Sequence, residues 1–247
     1  MKRVYVQNLG RVRYAPTWDY QQARLRELVD RKRANRGKVP TDPDYRALHH
    51  YFICCEHEPV YTLGKSGSAD HLLLNEQQLR RKGIDYFPIN RGGDITFHGP
   101  GQLVGYPILD LEDFFTDVHR YVRSLEETVI RTCADYGLET LRLKGFTGVW
   151  LPPADGKAAY RKICAIGVHL SRWCTLHGFA FNVNTDLRYF DYIVPCGIAD
   201  ANKTVTSLRA ELGEPVDLAD VRERLLQHFG TIFECNLLPA SPNTELS

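Results

Sequence analysis

The order of hydrophobic and polar positions along the chain predicts alternating strands and helices. Residues 17–33 carry apolar side chains at the three- and four-residue spacing of an amphipathic helix, and so do residues 115–136, which Gly137 follows. Asn75, with Gln78 three residues later, predicts a short helix with a capping box. A last helix is predicted from Asp217 to residue 229. Short apolar runs predict strands at residues 4–8, 51–55, 60–63, 85–89, 94–98, 103–109, 148–151, 162–170 and 175–182.

This alternation predicts the α+β fold class, with a mixed α/β sheet and helices packed against it. The chain has 247 residues, of which 43% are hydrophobic, so it is long enough to bury one sizeable core. We therefore predict a single domain over residues 1–238. Residues 239–247 are rich in Pro, Ser and Asn and are predicted to form a flexible tail. Residues 33–44 and 152–161 contain two prolines each and are predicted to be loops.

Charge and cysteine content argue against several classes of function. The formal net charge of +1 gives no electrostatic basis for binding nucleic acid or an anionic membrane. No apolar run approaches the roughly 20 residues that span a bilayer. The first residues read as a strand rather than a signal peptide, and seven cysteines at scattered spacing predict no disulfide framework. We expect a cytoplasmic protein.

Residues 90–102 combine four glycines with several polar side chains. One interpretation is a β-hairpin between glycine turns. The other is a segment whose backbone approaches a ligand closely, which glycine permits. Arg91 and His98 favour the second interpretation because they flank a strand in which Ile95 and Phe97 alternate toward the core, and we expect His98 to face the substrate. The glycine spacing matches neither a dinucleotide fingerprint nor a phosphate loop.

A lysine and a cysteine farther along the chain form a candidate catalytic pair. Lys162 begins the apolar run at residues 162–170, and Cys196 stands between Pro195 and Gly197. An ammonium beside a thiol favours the thiolate, which is the nucleophile. If the two segments meet, the pair predicts acyl transfer through a cysteine intermediate. The alternative is a surface lysine and an unrelated cysteine in a turn.

Three other groups of residues have competing interpretations. Residues 54–58 read Cys-Cys-Glu-His-Glu, but adjacent cysteines fit poorly around one tetrahedral ion, so a buried strand end is favoured and no metal is expected. His177 is expected to orient the loop before Gly178. The aromatic side chains of residues 189–192 either form a wall near Cys196 or belong to the core.

Four motifs in order along the chain resemble those of the lipoate-protein octanoyltransferases. The motifs are Arg91-Gly92-Gly93 with residues 96–102, Gly148-Val149-Trp150 with residues 162–167, residues 177–184, and Pro195-Cys196-Gly197-Ile198. The resemblance covers residues 51–208. It implies the fold of the biotin and lipoate protein ligases. It also implies transfer of octanoyl from the thioester of acyl carrier protein to the ε-amine of a lysine on a lipoyl domain.

The resemblance also assigns partners and site residues. The acceptors would be the lipoyl domains of 2-oxoacid dehydrogenase E2 subunits and the glycine cleavage H protein. Cys196 would accept the acyl group, with Lys162 as its partner. The acyl chain would lie in a tunnel formed by three segments. Their residues are Arg91, Gly92, Gly93, Asp94, Ile95, Thr96, Phe97, His98, Ala165, Ile166, Gly167, Gly178, Phe179 and Ala180.

The chemistry of these residues agrees with that activity. A thioester is already activated, so no cofactor is expected. A neutral Lys162 could accept the proton that the acceptor lysine must lose, whereas a cationic Lys162 would favour the thiolate. Backbone amides near Gly197 or at Gly92 and Gly93 are candidate donors to the tetrahedral oxyanion. Cys164 stands where an alanine is common in the family and brings a second thiol close to Lys162 in sequence.

Two rival functions remain open. An ATP-dependent lipoate or biotin ligase of the same fold would form an acyl-adenylate and leave Cys196 idle. A non-catalytic module would keep the fold and bind an acyl carrier or lipoyl domain without forming an acyl-enzyme. Retention of both Lys162 and Cys196 argues against the module.

Overall fold

The structure is a computed structural model that describes residues 2–154, 159–194 and 202–240. Its helices and strands alternate much as the hydrophobic pattern predicts. In chain order they are β1 (Lys2–Val12), α1 (Tyr14–Ala34), β2 (His50–His57), β3 (Val60–Leu63), α2 (Glu76–Lys82), β4 (Asp85–Pro88), β5 (Ile95–His98), β6 (Gln102–Ile108), α3 (Val118–Ala134), β7 (Val149–Leu151), β8 (Tyr160–Ser171), β9 (Cys174–Asn182), β10 (Lys203–Val205), α4 (Leu208–Leu212), α5 (Leu218–Ile232) and β11 (Cys235–Pro239).

The main sheet has eight strands in the order β10-β8-β9-β6-β2-β1-β11, with β7 paired to β8. The pairs β8–β9, β9–β6 and β6–β2 are antiparallel, whereas β2–β1, β1–β11 and β10–β8 are parallel. The predicted mixed sheet with packed helices is therefore confirmed.

Each face of the main sheet packs against different helices. One face carries the largest core cluster, in which strand side chains meet α3 and α5. Burial of each large apolar side chain there stabilises the fold by roughly 1.5–3 kcal/mol. Its central members are Phe52, Leu103, Phe181, Leu125, Val129, Leu225 and Phe229. On the opposite face, Tyr20 and Leu28 of α1 pack against Val104 and Tyr106 of β6.

A second, three-stranded sheet in the order β4-β3-β5 carries the glycine-rich segment. Ile95 and Phe97 of β5 point into its apolar cluster, as their alternation predicts. Phe97 stacks on Tyr189, and Phe190 joins the same cluster. Because side chains alternate along a strand, Thr96 and His98 project from the other face of β5.

Sequence motifs predicted the structure correctly where residues within one helical turn determine it. Asn75 and Gln78 form the predicted capping box of α2, and Gly83 ends the helix in the left-handed conformation. The prediction for α3 began too early, because Asp117 caps the helix by accepting a hydrogen bond from the Arg120 amide.

Long-range pairing explains the elements that the pattern missed. β11 pairs in parallel with β1. It includes Pro239, which was predicted to begin the flexible tail, and residues 241–247 of that tail lie outside the described residues. β8 begins at Tyr160, inside the predicted loop, because β7 and β10 pair with its first residues. No helix in the described parts of the chain is both long enough and apolar enough to cross a membrane.

Candidate active site

A cavity of about 240 Å³ lies between the main sheet and the three-stranded sheet. A narrower space of about 50 Å³ continues from it. Arg91, Thr96 and Ala180 line both, so the two form one pocket with an outer and an inner part.

The predicted acyl-binding segments meet at this pocket. The outer part is lined by Gly92, Gly93, Asp94 and Ile95, the inner part by His98, Gly167, Gly178 and Phe179, and both parts by Arg91, Thr96, Ala165, Ile166 and Ala180. Phe97 is absent from both linings because its ring packs against Tyr61, Tyr189 and Phe190. Binding of an acyl group by these residues stays a prediction.

Lys162 lines the outer part of the pocket. It pairs across strands with the fully buried Trp150, and its ammonium nitrogen lies 4.5 Å from the centroid of the indole ring. An ammonium over an indole face is attracted by the negative face of the ring, and the attraction grows as water is excluded. The Trp150 ring thus provides a favourable contact for an ammonium at the wall of the pocket.

Cys196 lies outside the described residues, together with Pro195, Gly197 and Ile198. The chain on both sides of residues 195–201 does lie at the pocket. Phe190 on one side and Val205 on the other line its outer part. Val205 is also the register partner of Lys162 in the β10–β8 pair.

A β-bulge in β8 decides which side chains reach the pocket. Val149 pairs with Cys164 and Trp150 with Lys162, so Ile163 is the extra residue. Strict alternation would place Lys162 and Cys164 on the same face. With the bulge, Ile163 and Cys164 both enter the core beside α3, whereas Lys162 faces the pocket.

Two glycines allow the backbone approaches that the bulge and the pocket require. Gly148 has φ +119°, and a Cβ there would lie 2.5 Å from the carbonyl oxygen of Cys164. Its amide donates to the buried carboxylate of Glu126. A Cβ at Gly167 would lie 2.7 Å from the carbonyl oxygen of Gly92, so only glycine lets β8 lie against the glycine-rich segment.

The Arg91 guanidinium is buried and holds the glycine-rich segment against β3. It donates to the carbonyl oxygens of Thr62, at 2.6 Å, and of Gly92, at 3.0 Å. Burial lowers its pKa. The Gly92 amide donates to the Val168 carbonyl. Gly92 therefore cannot serve as an oxyanion donor as predicted, and Gly93 remains the candidate among the described residues.

Buried histidines form much of the inner wall. His98 Nδ1 and the Gln102 side-chain oxygen are 2.9 Å apart, and the ring stacks on Tyr14. His177 is hydrogen-bonded to Asn90 of the glycine-rich segment, and the loop that it was expected to orient before Gly178 is part of strand β9. Burial lowers the pKa of His177 to about 3 and that of His98 well below its usual range. Both rings are therefore neutral at physiological pH.

Residues 54–57 form the buried end of β2. Cys54 and Cys55 face opposite sides of β2 inside two different core clusters, as a buried strand predicts. Burial raises the pKa of both thiols. Among the described residues, no group of three or more His, Cys, Asp or Glu side chains is arranged to hold a metal ion.

Several pocket residues were not predicted. Phe146 and Thr147 line the outer part, and the glycines that flank them at positions 145 and 148 were an available signal. Tyr14 and Tyr106 line the inner part. Their positions depend on how α1 and β6 pack around β5, and nothing in their local sequence indicates it.

The chain matches known proteins over nearly its whole length. The family model of the lipoyl protein ligase A/B catalytic domain matches residues 15–230. An octanoyltransferase of Christiangramia forsetii is 54% identical over 96% of this chain and 98% of its own length. An octanoyltransferase of Flavobacterium johnsoniae is 52% identical over 96% and 99%.

Solved structures share the fold at low sequence identity. A bipartite lipoate protein ligase of Thermoplasma acidophilum has a TM-score of 0.68 and 16% identity, covering 99% of this chain and 89% of that one. A lipoate-protein ligase A bound with ATP has a TM-score of 0.65 and 15% identity, covering 98% and 90%. The family match and the full-length relatives together show that this chain belongs to the lipoyl protein ligase A/B catalytic-domain family, among its octanoyltransferases, and is an acyltransferase of protein lipoylation.

Proposed function

We propose that the enzyme takes octanoyl from acyl carrier protein, holds it as a thioester on Cys196 and passes it to the ε-amine of a lysine on a lipoyl domain. Its acceptors are the lipoyl domains of 2-oxoacid dehydrogenase E2 subunits and the glycine cleavage H protein. One observation carries the proposal: Lys162 and three motif segments surround a single pocket, and Phe190 and Val205, on either side of residues 195–201, line its outer part.

The inner part of the pocket suits an acyl chain. Ala165, Gly167, Gly178 and Ala180 have small side chains or none, which leaves a narrow slot between β8 and β9 and the glycine-rich segment. Each buried methylene contributes about 0.8 kcal/mol, so an eight-carbon chain gains on the order of 5 kcal/mol. This gain accounts for a large share of substrate recognition.

The first half-reaction uses the charged form of Lys162. Its ammonium, held over Trp150, stabilises the Cys196 thiolate. The thiolate attacks the carbonyl carbon of the octanoyl thioester, and a backbone amide such as that of Gly93 supports the oxyanion. The C–S bond to the carrier then breaks, and the carrier sulfur departs as a thiolate that takes a proton from water.

In the second half-reaction the octanoyl group passes to the acceptor lysine. The ammonium of that lysine must lose a proton before its nitrogen can attack. The neutral nitrogen attacks the Cys196 thioester, the C–S bond breaks and the thiolate returns to its position beside the Lys162 ammonium. The acceptor nitrogen loses two protons to solvent, one before its attack and one as the C–S bond breaks, and an amide bond is the product.

Mass measurement of the intact protein tests this proposal. The enzyme is mixed with octanoyl-acyl carrier protein in the absence of ATP. We expect a mass increase of one octanoyl group in the wild type and in Cys164→Ala, and none in Cys196→Ala.

Three outcomes would contradict the proposal. An adduct that persists in Cys196→Ala and maps to Cys164 would identify the wrong thiol. A strict requirement for ATP and Mg²⁺ would favour the ligase chemistry. Binding of the carrier with no adduct under any condition would favour the non-catalytic module.

A further inference from the structure

A buried carboxylate stands behind the wall of the pocket and has no part in the steps above. The side chain of Glu126, in α3, has no exposed surface. One of its oxygens accepts the Gly148 amide at 3.0 Å, and the other lies 2.6 Å from Nη1 of Arg123 and 3.2 Å from Nε of Arg142. An apolar side chain of similar volume often stabilises a fold as well as a buried ion pair does, so stability alone does not explain this carboxylate.

Gly148, the backbone partner of Glu126, lies between two parts of the pocket wall. Residues 145–147 come directly before it and line the outer part of the pocket. Trp150 comes two residues after it, and its ring lies 4.5 Å from the Lys162 ammonium nitrogen. The hydrogen bond to Glu126 therefore fixes the backbone at the point where the wall of the outer pocket becomes strand β7.

The same carboxylate also holds the start of this segment, because it pairs with Arg142. The preceding residue, Leu141, exchanges two backbone hydrogen bonds with Trp150, at 2.7 Å and 3.0 Å. Residues 141–150 thus form a loop that is closed by its own backbone and joined to α3 near both ends. Glu126 takes part in both of these connections to the helix.

The inner part of the pocket is held by other contacts. The Gly92 amide donates to the Val168 carbonyl oxygen, and the Arg91 guanidinium donates to the Thr62 carbonyl oxygen. Neither contact involves the loop. Loss of the Glu126 carboxylate should therefore displace the outer wall and leave the inner slot in place.

We infer that Glu126 is a positioning residue of octanoyl transfer. It acts through the Gly148 amide, which holds residues 145–147 at the outer pocket and the Trp150 ring against Lys162. This inference rests on the proposed function only in taking the pocket as the site of octanoyl transfer. A displacement of about 1 Å in the groups that position a reaction can lower its rate about 100-fold.

Two substitutions remove the hydrogen bond to Gly148 in different ways. Glu126→Met keeps the length of the side chain but offers the amide no acceptor. Glu126→Asp keeps the charge for Arg123 and Arg142, whose partly exposed side chains can follow it, but withdraws the carboxylate by one methylene. In both variants kcat for octanoyl transfer to a lipoyl domain should fall about 100-fold, whereas KM for octanoyl-acyl carrier protein should change less than about threefold.

Hydrogen exchange gives a readout that a merely structural role would not change. In both variants the amides of residues 145–149 should exchange faster than in the wild type, while those of β6 and β9 keep their protection. Glu127→Met is the matched control, because this neighbour pairs with Arg142 at 2.6 Å whereas the Gly148 amide donates to Glu126. The control should keep wild-type exchange at residues 145–149 and octanoyl transfer within about twofold.

All rates are measured at a temperature at which circular dichroism shows the variants to be folded, and Glu126→Asp decides the matter if Glu126→Met does not fold. Unchanged transfer in the Glu126 variants, or unchanged exchange at residues 145–149, would mean that Glu126 only stabilises the fold, and the inference is overturned. An equal loss of transfer in Glu127→Met would overturn it as well. If the wild type transfers octanoyl without an adduct on Cys196, the proposed function fails, and the transfer rates of the Glu126 variants still decide the inference.

Discussion

The two faces of the β8–β9 hairpin differ both in burial and in chemistry. Toward α3 and α5, Ile163, Cys164 and Phe181 are entirely inaccessible and touch almost only apolar groups. Toward the three-stranded sheet, the hairpin presents Lys162 and His177 to a pocket that buried Arg91 also lines. The first face contributes stability through apolar burial. The second keeps polar groups away from water, at a cost that hydrogen bonds offset.

The comparison teaches that spacing along a strand alone does not identify a reactive side chain. Cys164 and Lys162 are two residues apart, and strict alternation would present both to the pocket. The extra residue Ile163 sends the thiol into the core, where burial raises its pKa well above the usual range. The difference between the two faces thus depends on one bulge.

The largest expected effect is a loss of octanoyl transfer when Lys162, on the pocket face of β8, is replaced. In Lys162→Ala, octanoyl transfer should fall by about 10³-fold, or about 4 kcal/mol, because the thiolate loses its cation. Circular dichroism should be unchanged. Alkylation of Cys196 by iodoacetamide should slow at neutral pH and recover as rising pH supplies the thiolate. Lys38→Ala, in the loop after α1, is the control, and equal alkylation in all three proteins would disprove the role of Lys162.

Acid should destabilise the protein through its buried histidines. Burial lowers the pKa of His57 to about 4 and that of His177 to about 3. The unfolded chain therefore binds more protons below its pKa of about 6.5, so stability is complete above that pH and falls as pH drops toward the folded values. Between neutral pH and pH 5 each histidine should cost about 2 kcal/mol of unfolding free energy.

Urea unfolding measured across this pH range checks the effect. His57→Asn should flatten the pH dependence, whereas the exposed His119→Ala should leave it unchanged. A pH dependence that persists in full in His57→Asn would show that other groups carry it.

A methyl group at Gly148 should disrupt the β-bulge that separates the two faces of β8 and thereby lower the stability of the fold. The residue has φ +119°, and the new Cβ would meet the Cys164 carbonyl oxygen at 2.5 Å, so Gly148→Ala should cost about 3 kcal/mol. Gly137→Ala is the matched control, because φ there is +75° but nothing lies within 4 Å of the added Cβ. Thermal unfolding should show a clearly smaller loss for the control, of about 1 kcal/mol.

The smallest effect is expected when Cys164, on the core face of β8, is replaced. Cys164→Ala removes one sulfur atom from a packed interior and should cost about 1 kcal/mol in unfolding free energy. Octanoyl transfer should stay within about twofold of wild type. Iodoacetamide should leave Cys164 unmodified in the folded wild-type protein, and modification there before unfolding would place this thiol on the pocket face.

The sequence predicted those parts of the molecule that depend on neighbours in the chain. The capping box of α2 and the alternation of Ile95 and Phe97 follow from contacts within a few residues. Both side chains join the apolar cluster of the three-stranded sheet, yet Ile95 also lines the outer pocket and Phe97 does not, so alternation alone does not decide which of them reaches the pocket.

Other features depend on segments far apart in the chain. The bulge at Ile163 arises from the way β7 meets β8, and nothing in the local sequence marks it. A hydrogen bond between His71 and Asp94 joins a short 3₁₀ helix to the start of β5. The family motifs did identify Lys162 and the segments around the pocket, although they could not show which face of each strand those residues occupy.

The pairing of β1 with β11 has a consequence for synthesis of the protein. β1 leaves the ribosome well before β11, and the edge of β1 that β11 covers stays unpaired until β11 has emerged. An open strand edge invites pairing with other chains, and non-local parallel pairing is slow to form. The nascent chain therefore carries this open edge of β1 until residues 235–239 have emerged, and pairing with other chains is a hazard during that interval.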